Sequence, residues 1–298
     1  MFTRRNIMKT TIAAGAAAVF APAGFGHAAA SLTWKSFPAG QNGFFRAPVL
    51  VYGQTEAVLI DGGFTLADGL ALAEAIKATG KTLKTIYISQ SDPDYYFSLG
   101  PIKSAFPDAK VIAASATVDA IKGSVEKKLA VWGPQLKDNG PQALADVVMP
   151  EAFDEKTLIV DGETIEIVAA EGLANRRYLF VPSLNAVFGG VMIFNGVHVW
   201  TADTNSAELR AAWVANLEKI AALKPSIVVA GHMAPEAKMD LSGVEHTIAY
   251  LKAFEEELAK TKDSAVLKAA MEARFPGLGM GVALDIGSKV ATGEMKWG

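Results

Sequence analysis

The chain has 298 residues, of which 51% are hydrophobic, a formal net charge of −3 and no cysteine. The acidic balance disfavours binding to nucleic acid, whose phosphates attract basic surfaces. Without cysteine the chain forms no disulfide and offers no thiolate to a metal, so its hydrophobic core must supply the stability. A chain of this length buries one large core as a single domain.

Residues 1–30 have the pattern of a cleavable export signal. The pair Arg4–Arg5 and then Lys9 precede an apolar run, and small residues follow at Ala28–Ala30. The paired arginines resemble a twin-arginine signal, which predicts export of a folded protein to the periplasm. The apolar run Thr10–Phe25 is shorter than the roughly 20 residues that span a bilayer, so we expect no stable membrane anchor after cleavage. Cleavage leaves 25 basic and 31 acidic residues, a net charge of −6.

The segment from Leu32 to Ile60 predicts several short strands of one sheet, because β-branched and aromatic runs alternate with glycine and asparagine. A helix is predicted over Ala67–Thr79, where apolar residues recur at helical spacing. Lys84–Ser89 then predicts a buried strand, and its carboxyl end leads into the loop Gln90–Tyr96. Open α/β sheets place their chemistry at such strand ends.

The second half of the chain continues the alternation of strands and helices. Helices are predicted over residues 98–105, 115–138, 206–223 and 242–260, and strands over residues 110–113, 156–160, 163–169, 178–182, 186–189 and 226–229. The segment 138–155, rich in proline and glycine, predicts a wall or lid of the site. We interpret residues 31–262 as one domain. Residues 263–298 are then an extension that packs on this domain or on a partner subunit of a homo-oligomer.

The element order predicts an α/β protein with two mixed β-sheets face to face and helices outside, a four-layer αββα sandwich. Three motifs support it. Asp61-Gly62-Gly63 closes an early strand, Gln90-x-Asp92-x-Asp94-Tyr95 follows the buried strand, and Gly231-His232 ends a late one. In this order, over roughly residues 35–260, the motifs resemble those of the metallo-β-lactamase superfamily. The resemblance implies the sandwich fold and a hydrolase-like site at the strand ends.

In that superfamily the buried strand ends in H-x-H-x-D-H, a loop that supplies ligands to two metal ions. Gln90 and Asp92 stand where the resemblance places the first two histidines. Asp94 matches the aspartate of the motif, and Tyr95 replaces the histidine after it. A neutral amide such as Gln90 is a poor zinc ligand, whereas Asp92 keeps a carboxylate that can coordinate.

Two later positions of the superfamily pattern are also lost. The resemblance places a histidine near Gly172 and a bridging aspartate at Gly190, and neither is present. The late histidine is kept as His232. The ligand set that the resemblance implies is therefore Asp92, Asp94, His232 and Gln90. Such an oxygen-rich set suits Mn²⁺, Fe²⁺ or Mg²⁺ better than tightly held Zn²⁺. We expect one divalent ion (Zn²⁺, Mn²⁺ or Fe²⁺), or none.

The residues leave two functions open. The first is metal-assisted hydrolysis of an ester, lactone, thioester or amide, with a small-molecule substrate. Asp94 would then help to hold the ion and Tyr95 would hydrogen-bond the developing oxyanion. The second is a metal-free, non-catalytic protein that binds a small molecule or a protein partner in the same cleft.

Two further features have alternative interpretations. Asp61 either bonds to the metal loop, as the resemblance implies, or caps the helix that follows it. Arg176-Arg177 either attracts an anionic substrate or belongs to a solvated turn.

Overall fold

The computed structural model describes residues 32–297. The predicted export signal, residues 1–30, lies outside this range. Among the described residues, no helix combines the length and the apolar character needed to cross a membrane.

Strands and helices alternate along the described chain. The strands are β1 Thr33–Ser36, β2 Val49–Tyr52, β3 Glu56–Ile60, β4 Thr82–Tyr87, β5 Lys110–Ala113, β6 Glu151–Ala152, β7 Thr157–Val160, β8 Glu163–Ala169, β9 Arg177–Val181, β10 Ala186–Phe188, β11 Phe194–Asn195, β12 Ile227–Val229 and β13 His232–Met233. The helices are α1 Leu66–Ala78, α2 Leu99–Ala105, α3 Ser115–Leu136, α4 Ala207–Ala222, α5 Ser242–Leu258, α6 Ser264–Arg274 and α7 Gly281–Thr292.

The first sheet has the strand order β1-β2-β3-β4-β5-β6. Its first three strands pair antiparallel, and β3 to β6 pair parallel. Parallel strands end at the same edge of a sheet, so the turn after β3 and the loop after β4 are neighbours. This edge carries Asp61 and the loop Gln90–Tyr96.

The second sheet has the order β12-β10-β9-β8-β7, in which only the pair β12 and β10 is parallel. Beyond it, β11 and β13 form a short parallel ribbon that sets Phe194 beside His232. Arg46 forms an isolated antiparallel bridge with His232. Through this bridge the segment before β2 meets the late histidine, although 186 positions separate the two residues.

The core lies between the two sheets and under the helices. Leu50 and Leu59 of the first sheet and Leu179 and Phe188 of the second are at most 1% exposed. Helices pack on the outer faces, so the predicted αββα sandwich of two mixed sheets is confirmed. Burial of this apolar surface is the main driving force for folding.

The C-terminal segment packs on the domain. Helices α6 and α7 contact each other, and α6 contacts α5. Leu267, Met271 and Leu284 are buried in the common core. Contact of this segment with a partner subunit stays a prediction.

Helix α1 begins with a capping box. The Thr65 hydroxyl accepts a hydrogen bond from the Asp68 amide at 3.1 Å, and the Asp68 carboxylate accepts one from the Thr65 amide at 3.0 Å. Both bonds satisfy amides that the helix itself leaves without a partner.

Removal of this cap gives a direct test of the helix start. We expect Thr65→Ala to lower the free energy of unfolding by about 1 kcal/mol, since the first turn loses its acceptor. Urea denaturation measures the change, and Thr65→Ser, which keeps the hydroxyl, serves as the control. Equal losses in both variants would contradict a role for the hydroxyl as a cap.

Candidate functional site

A cleft of about 250 Å³ opens beside the loop after β4, with α3 and the C-terminal segment around it. Most of its lining is apolar, and three of the five tryptophans of the chain contribute to it. The apolar lining residues are Phe44, Phe64, Pro93, Val131, Trp132, Val191, Trp200, Met280 and Trp297. The polar lining residues are Asp92, Asp94, Ser124, Lys127, Lys128 and His232.

The segment 138–155 contributes no residue to this lining, so its prediction as a wall or lid is wrong. It folds back on the end of α3 instead, where the Gln142 amide donates to the carbonyl of Gly133 at 3.1 Å. Helix α3 itself forms that side of the cleft. Lys128 on α3 donates to the carbonyl of Ser91 at 2.7 Å, which ties the helix to the loop after β4.

Two of the four predicted metal ligands are engaged with neighbouring side chains. The Gln90 amide oxygen accepts hydrogen bonds from the Ser91 amide at 2.8 Å and from Asn175 at 3.1 Å. The Asp92 carboxylate pairs with Lys128 at 2.9 Å. Both oxygens therefore have partners from the protein.

The other two predicted ligands, Asp94 and His232, lie together at the cleft. Asp94 Oδ2 is 3.4 Å from His232 Nε2, and the Asp94 side chain keeps 12% exposure. His232 Nδ1 lies 2.8 Å from the carbonyl oxygen of Phe44. A carbonyl only accepts, so Nδ1 carries the proton and Nε2 presents its lone pair to Asp94.

Burial sets the charge state of this pair. It raises the pKa of Asp94 to about 7, although Arg46 beside it acts in the opposite direction. Burial, and then the charge of Arg46, hold the pKa of His232 well below its usual range. The imidazole is therefore neutral, and Asp94 exchanges its proton near neutral pH.

A buried arginine lies beside the Asp94–His232 pair. Arg46 is 0% exposed, and its Nη2 donates to Asp61 Oδ2 at 3.2 Å. Its Nη1 donates to the carbonyl of Gly231 at 2.5 Å, and its Nε lies 3.7 Å from Asp94 Oδ2. The guanidinium carbon is 3.5 Å from the centre of the Tyr95 ring. This one cation thus contacts the turn after β3, the loop after β4 and the residue that precedes β13.

Sequence reasoning did not single out Arg46. It stands alone in an apolar stretch between Phe45 and the strand β2. A lone charge in a run that otherwise predicts burial was the available signal, because a buried charge needs partners.

Asp61 holds the loop after β4. Its carboxylate accepts from the Ser89 amide at 2.7 Å and from the Ser89 hydroxyl at 2.8 Å. The helix that follows is capped by Thr65, so Asp61 bonds to the loop as the resemblance implied. Its backbone has φ 62°, a left-handed conformation that only a few residue types adopt readily. Burial raises the pKa of Asp61, against the effect of Arg46.

Tyr95 is fully buried and does not line the cleft. Its hydroxyl lies 3.4 Å from His232 Nε2, and its ring lies under the Arg46 guanidinium. The oxyanion role suggested by the sequence stays a prediction, and it requires this ring to move.

The position of the lost bridging aspartate has no room for a side chain. A Cβ at Gly190 would lie 2.7 Å from the Ser89 hydroxyl and 2.9 Å from the carbonyl of Arg177, and its φ is +46°. At Gly231 a Cβ would lie 1.6 Å from the carbonyl of Gly190. The backbones of the two segments are therefore in direct contact.

The donor set does not fit a divalent metal. In the part of the chain that the structure describes, no group of three or more His, Cys, Asp or Glu side chains is placed to hold an ion. Asp94 and His232 offer two donors, and the Arg46 guanidinium stands beside them. A catalytic zinc site uses three protein ligands around an open position, and the positive charge of Arg46 repels a cation.

Arg176 is buried rather than solvated. It is 3% exposed, pairs with Asp203 at 3.3 Å and stacks 4.2 Å from the Trp213 ring. The neighbouring Arg177 donates to the Thr117 hydroxyl at 3.5 Å. Neither arginine lines the cleft.

The raised pKa of Asp94 predicts that the free energy of unfolding depends on pH. Between the free value of 3.8 and about 7, the unfolded chain releases the Asp94 proton while the folded chain keeps it. The folded state therefore loses stability as the pH rises through this window. Asp94→Asn removes the ionisation, so its free energy of unfolding should exceed that of the wild type by a few kcal/mol, on the order of the pKa difference, at about pH 8.

Urea denaturation at about pH 5 and about pH 8 measures how this gain grows with pH. Asp119→Asn, which removes an exposed carboxyl from α3, is the control and should show no such growth. A gain for Asp94→Asn that is equal at both pH values would contradict the assignment.

Comparison with known proteins gives the family. The sequence profile of the metallo-β-lactamase superfamily matches residues 42–232. By sequence, no curated protein matches the chain.

Solved structures with the same fold include a metallo-β-lactamase family protein from Thermus thermophilus, with TM-score 0.60, 17% identity and coverage of 88% of this chain and 91% of that one. A β-lactamase domain protein from Burkholderia ambifaria has TM-score 0.59, 14% identity and coverage of 88% and 84%. The B3 metallo-β-lactamase BLEG-1 has TM-score 0.51, 20% identity and coverage of 72% and 98%. At these identities the likeness shows the fold alone. The profile spans more than half of the chain, which therefore belongs to the metallo-β-lactamase superfamily, a superfamily of hydrolase-like proteins.

Proposed function

We propose that this protein binds an apolar, ring-containing small molecule in the cleft without a resident metal ion. The observation that carries the proposal is the aromatic lining of the cleft, closed at one end by Asp94 and His232. Small-molecule sites are typically apolar cavities with a few polar groups that fix the orientation of the ligand.

One group of aromatic rings is held rigidly. Phe44 lies 4.8 Å from Phe64 and 5.3 Å from Trp132, measured between ring centres, and Phe64 lies 5.4 Å from Trp132. Each ring thus contacts the other two. The rings are tilted or edge to face, with interplanar angles of 54°, 77° and 90°. The cluster therefore offers a preformed aromatic corner, against which the ring of a ligand packs with little ordering cost.

A second aromatic pair comes from elsewhere in the chain. Trp200 and Trp297 meet edge to face, with 5.0 Å between ring centres, and both line the cleft. Trp297 keeps 39% exposure. An exposed tryptophan beside an apolar cavity is a feature of ligand and partner sites, because burial of its ring on binding is favourable.

The polar end supplies acceptors. Both members of the Asp94–His232 pair line the cleft, and Asp94 is the more exposed of the two, at 12% against 4%. A ligand hydroxyl or amine donates to this carboxylate above its pKa of about 7. Lys127 and Lys128 line the same cleft and provide positive charge near the Asp92 carboxylate.

A second candidate is the metal-assisted hydrolysis of an ester, lactone, thioester or amide that the resemblance implies. The contact of 3.4 Å between Asp94 and His232 at the cleft favours it, since both are predicted ligands. The Arg46 guanidinium opposes it, because a metal at this position requires the arginine to leave.

We also infer that the protein acts in the periplasm. The support is the twin-arginine pattern in residues 1–30, which precede the described part of the chain.

Binding can be measured with a fluorescent aromatic probe that carries one sulfonate group, 1-anilinonaphthalene-8-sulfonate. We expect saturable binding to the wild type and a Kd raised about tenfold by Trp132→Ala, since the aromatic cluster loses its largest ring. Trp34→Phe changes a tryptophan that packs on Phe188 outside the cleft lining and serves as the matched control. The proposal fails if Trp132→Ala binds the probe as tightly as the control while both variants remain folded by circular dichroism.

Elemental analysis separates the two candidates. We expect the purified wild type, Asp94→Ala and His232→Ala all to contain divalent metal well below one equivalent, because the donor set is incomplete. About one equivalent in the wild type that is lost in both variants would instead establish a mononuclear site and support the hydrolase.

A further inference from the structure

Beside the Asp94–His232 pair, and outside the cleft lining, lies one buried cation surrounded by acceptors. Arg46 is 0% exposed. Its three nitrogens contact the carboxylate of Asp61, the carbonyl of Gly231 and the carbonyl of Asp94, at 3.2, 2.5 and 3.3 Å. The Tyr95 ring covers one face of the guanidinium at 3.5 Å. Each nitrogen of this guanidinium and one of its faces thus contact a group that attracts a cation.

The positive charge of Arg46 stabilises the acceptor groups around it, just as these groups stabilise the charge. An unpaired buried carboxylate is strongly unfavourable because it has lost its hydration, and Asp61 is only 2% exposed. Asp61 in turn bonds to Ser89, which begins the loop that carries Asp94. A cation at this point is therefore required to keep both carboxylates in place.

We infer that Arg46 is the resident cation of this site and takes the position among the ligands that the superfamily pattern gives to a metal ion. The Asp94 oxygen nearest to Arg46, at 3.7 Å, is the same atom that lies 3.4 Å from His232 Nε2. The guanidinium thus adjoins both ligands that survive in this chain. It also excludes a second cation, since two positive charges cannot share one small buried space.

The position of Arg46 is determined by the backbone. Arg46 forms an antiparallel bridge with His232, and the Ala47 amide donates to the carbonyl of Gly231 at 3.0 Å. The Met233 amide donates to the carbonyl of Phe45 at 2.8 Å. The arginine is therefore held between the late histidine and the loop after β4 by main-chain pairing, independently of any ligand in the cleft.

A guanidinium differs from a metal ion in what it offers. It donates hydrogen bonds in a fixed plane and has no open coordination position for a water molecule. The site therefore keeps a positive charge that orders its carboxylates and lacks a centre that activates water. This inference shares with the proposed function only the premise that no metal is resident.

Chemical rescue tests the inference. In Arg46→Ala the truncated side chain leaves a space of guanidinium shape, so low millimolar guanidinium chloride should raise the Tm by about 2–4 °C or more, whereas the wild type should not respond. Urea at the same concentration has the same shape without the charge and is the matched control. The double variant Arg46→Ala/Asp94→Asn should respond less, because one of the two anionic partners is gone.

Zn²⁺ provides the second probe. We expect calorimetry to show binding to Arg46→Ala at least about tenfold tighter than to the wild type. The repelling charge is removed, and Asp61 loses its partner and becomes available as a third donor near Asp94 and His232. The inference is overturned if guanidinium stabilises Arg46→Ala no more than urea does, or if Zn²⁺ binds both proteins equally.

A second pair of variants covers the case in which Arg46→Ala does not fold. Arg46→Lys keeps the charge, and Arg46→Met keeps an unbranched chain without charge. We expect the lysine variant to have the higher Tm. A methionine variant of equal or higher Tm would show that packing alone suffices and would overturn the inference. None of these measurements uses a cleft ligand, so their outcome is independent of the fluorescent-probe experiment.

Discussion

The buried ion pair between Arg46 and Asp61 is the interaction on which the rest of the site depends. It joins the segment before β2 to the end of β3, at a distance of 3.2 Å, with both side chains at most 3% exposed. Asp61 also accepts a hydrogen bond from Ser89, and Arg46 also contacts Gly231 and Asp94. The ion pair therefore fixes the positions of these segments relative to one another. Loss of either partner leaves an uncompensated charge in the interior, which is strongly destabilising.

If Arg46 takes the place of the metal ion, as we infer, this pair gives the superfamily fold a different kind of site centre. A metal ion accepts lone pairs from its ligands and activates a bound water, whereas a guanidinium donates hydrogen bonds to acceptors and cannot coordinate a water through its oxygen. What remains exposed to a ligand is then the aromatic lining and one edge of Asp94. Such a site recognises a ligand by its shape, by aromatic stacking and by contact with one carboxylate.

Much of the fold and part of the site could be predicted from the sequence. Alternating strands and helices have local sequence signals, so the sandwich could be predicted. The motifs that end at Asp61, Asp94 and His232 are each continuous in sequence, so the proximity of Asp94 and His232 could be predicted as well. The side chains that contact Gln90 and Asp92 could not be predicted, because Asn175 and Lys128 come from distant segments. Arg46 was missed for the same reason, since its significance arises from pairing with residues far away along the chain.

The left-handed backbone of Asp61 has an evolutionary consequence. At φ 62° few residue types are tolerated, and only aspartate combines that conformation with the charge that receives Ser89 and Arg46. Substitution of this aspartate is therefore disfavoured. A protein of this fold that loses its metal ligands then keeps a negative charge in its interior. If Arg46 replaced a metal ion, as we infer, an arginine able to reach this charge had to arise before, or together with, the loss of the metal. Relatives that carry an arginine at this position alongside intact histidines would be the intermediates of that path.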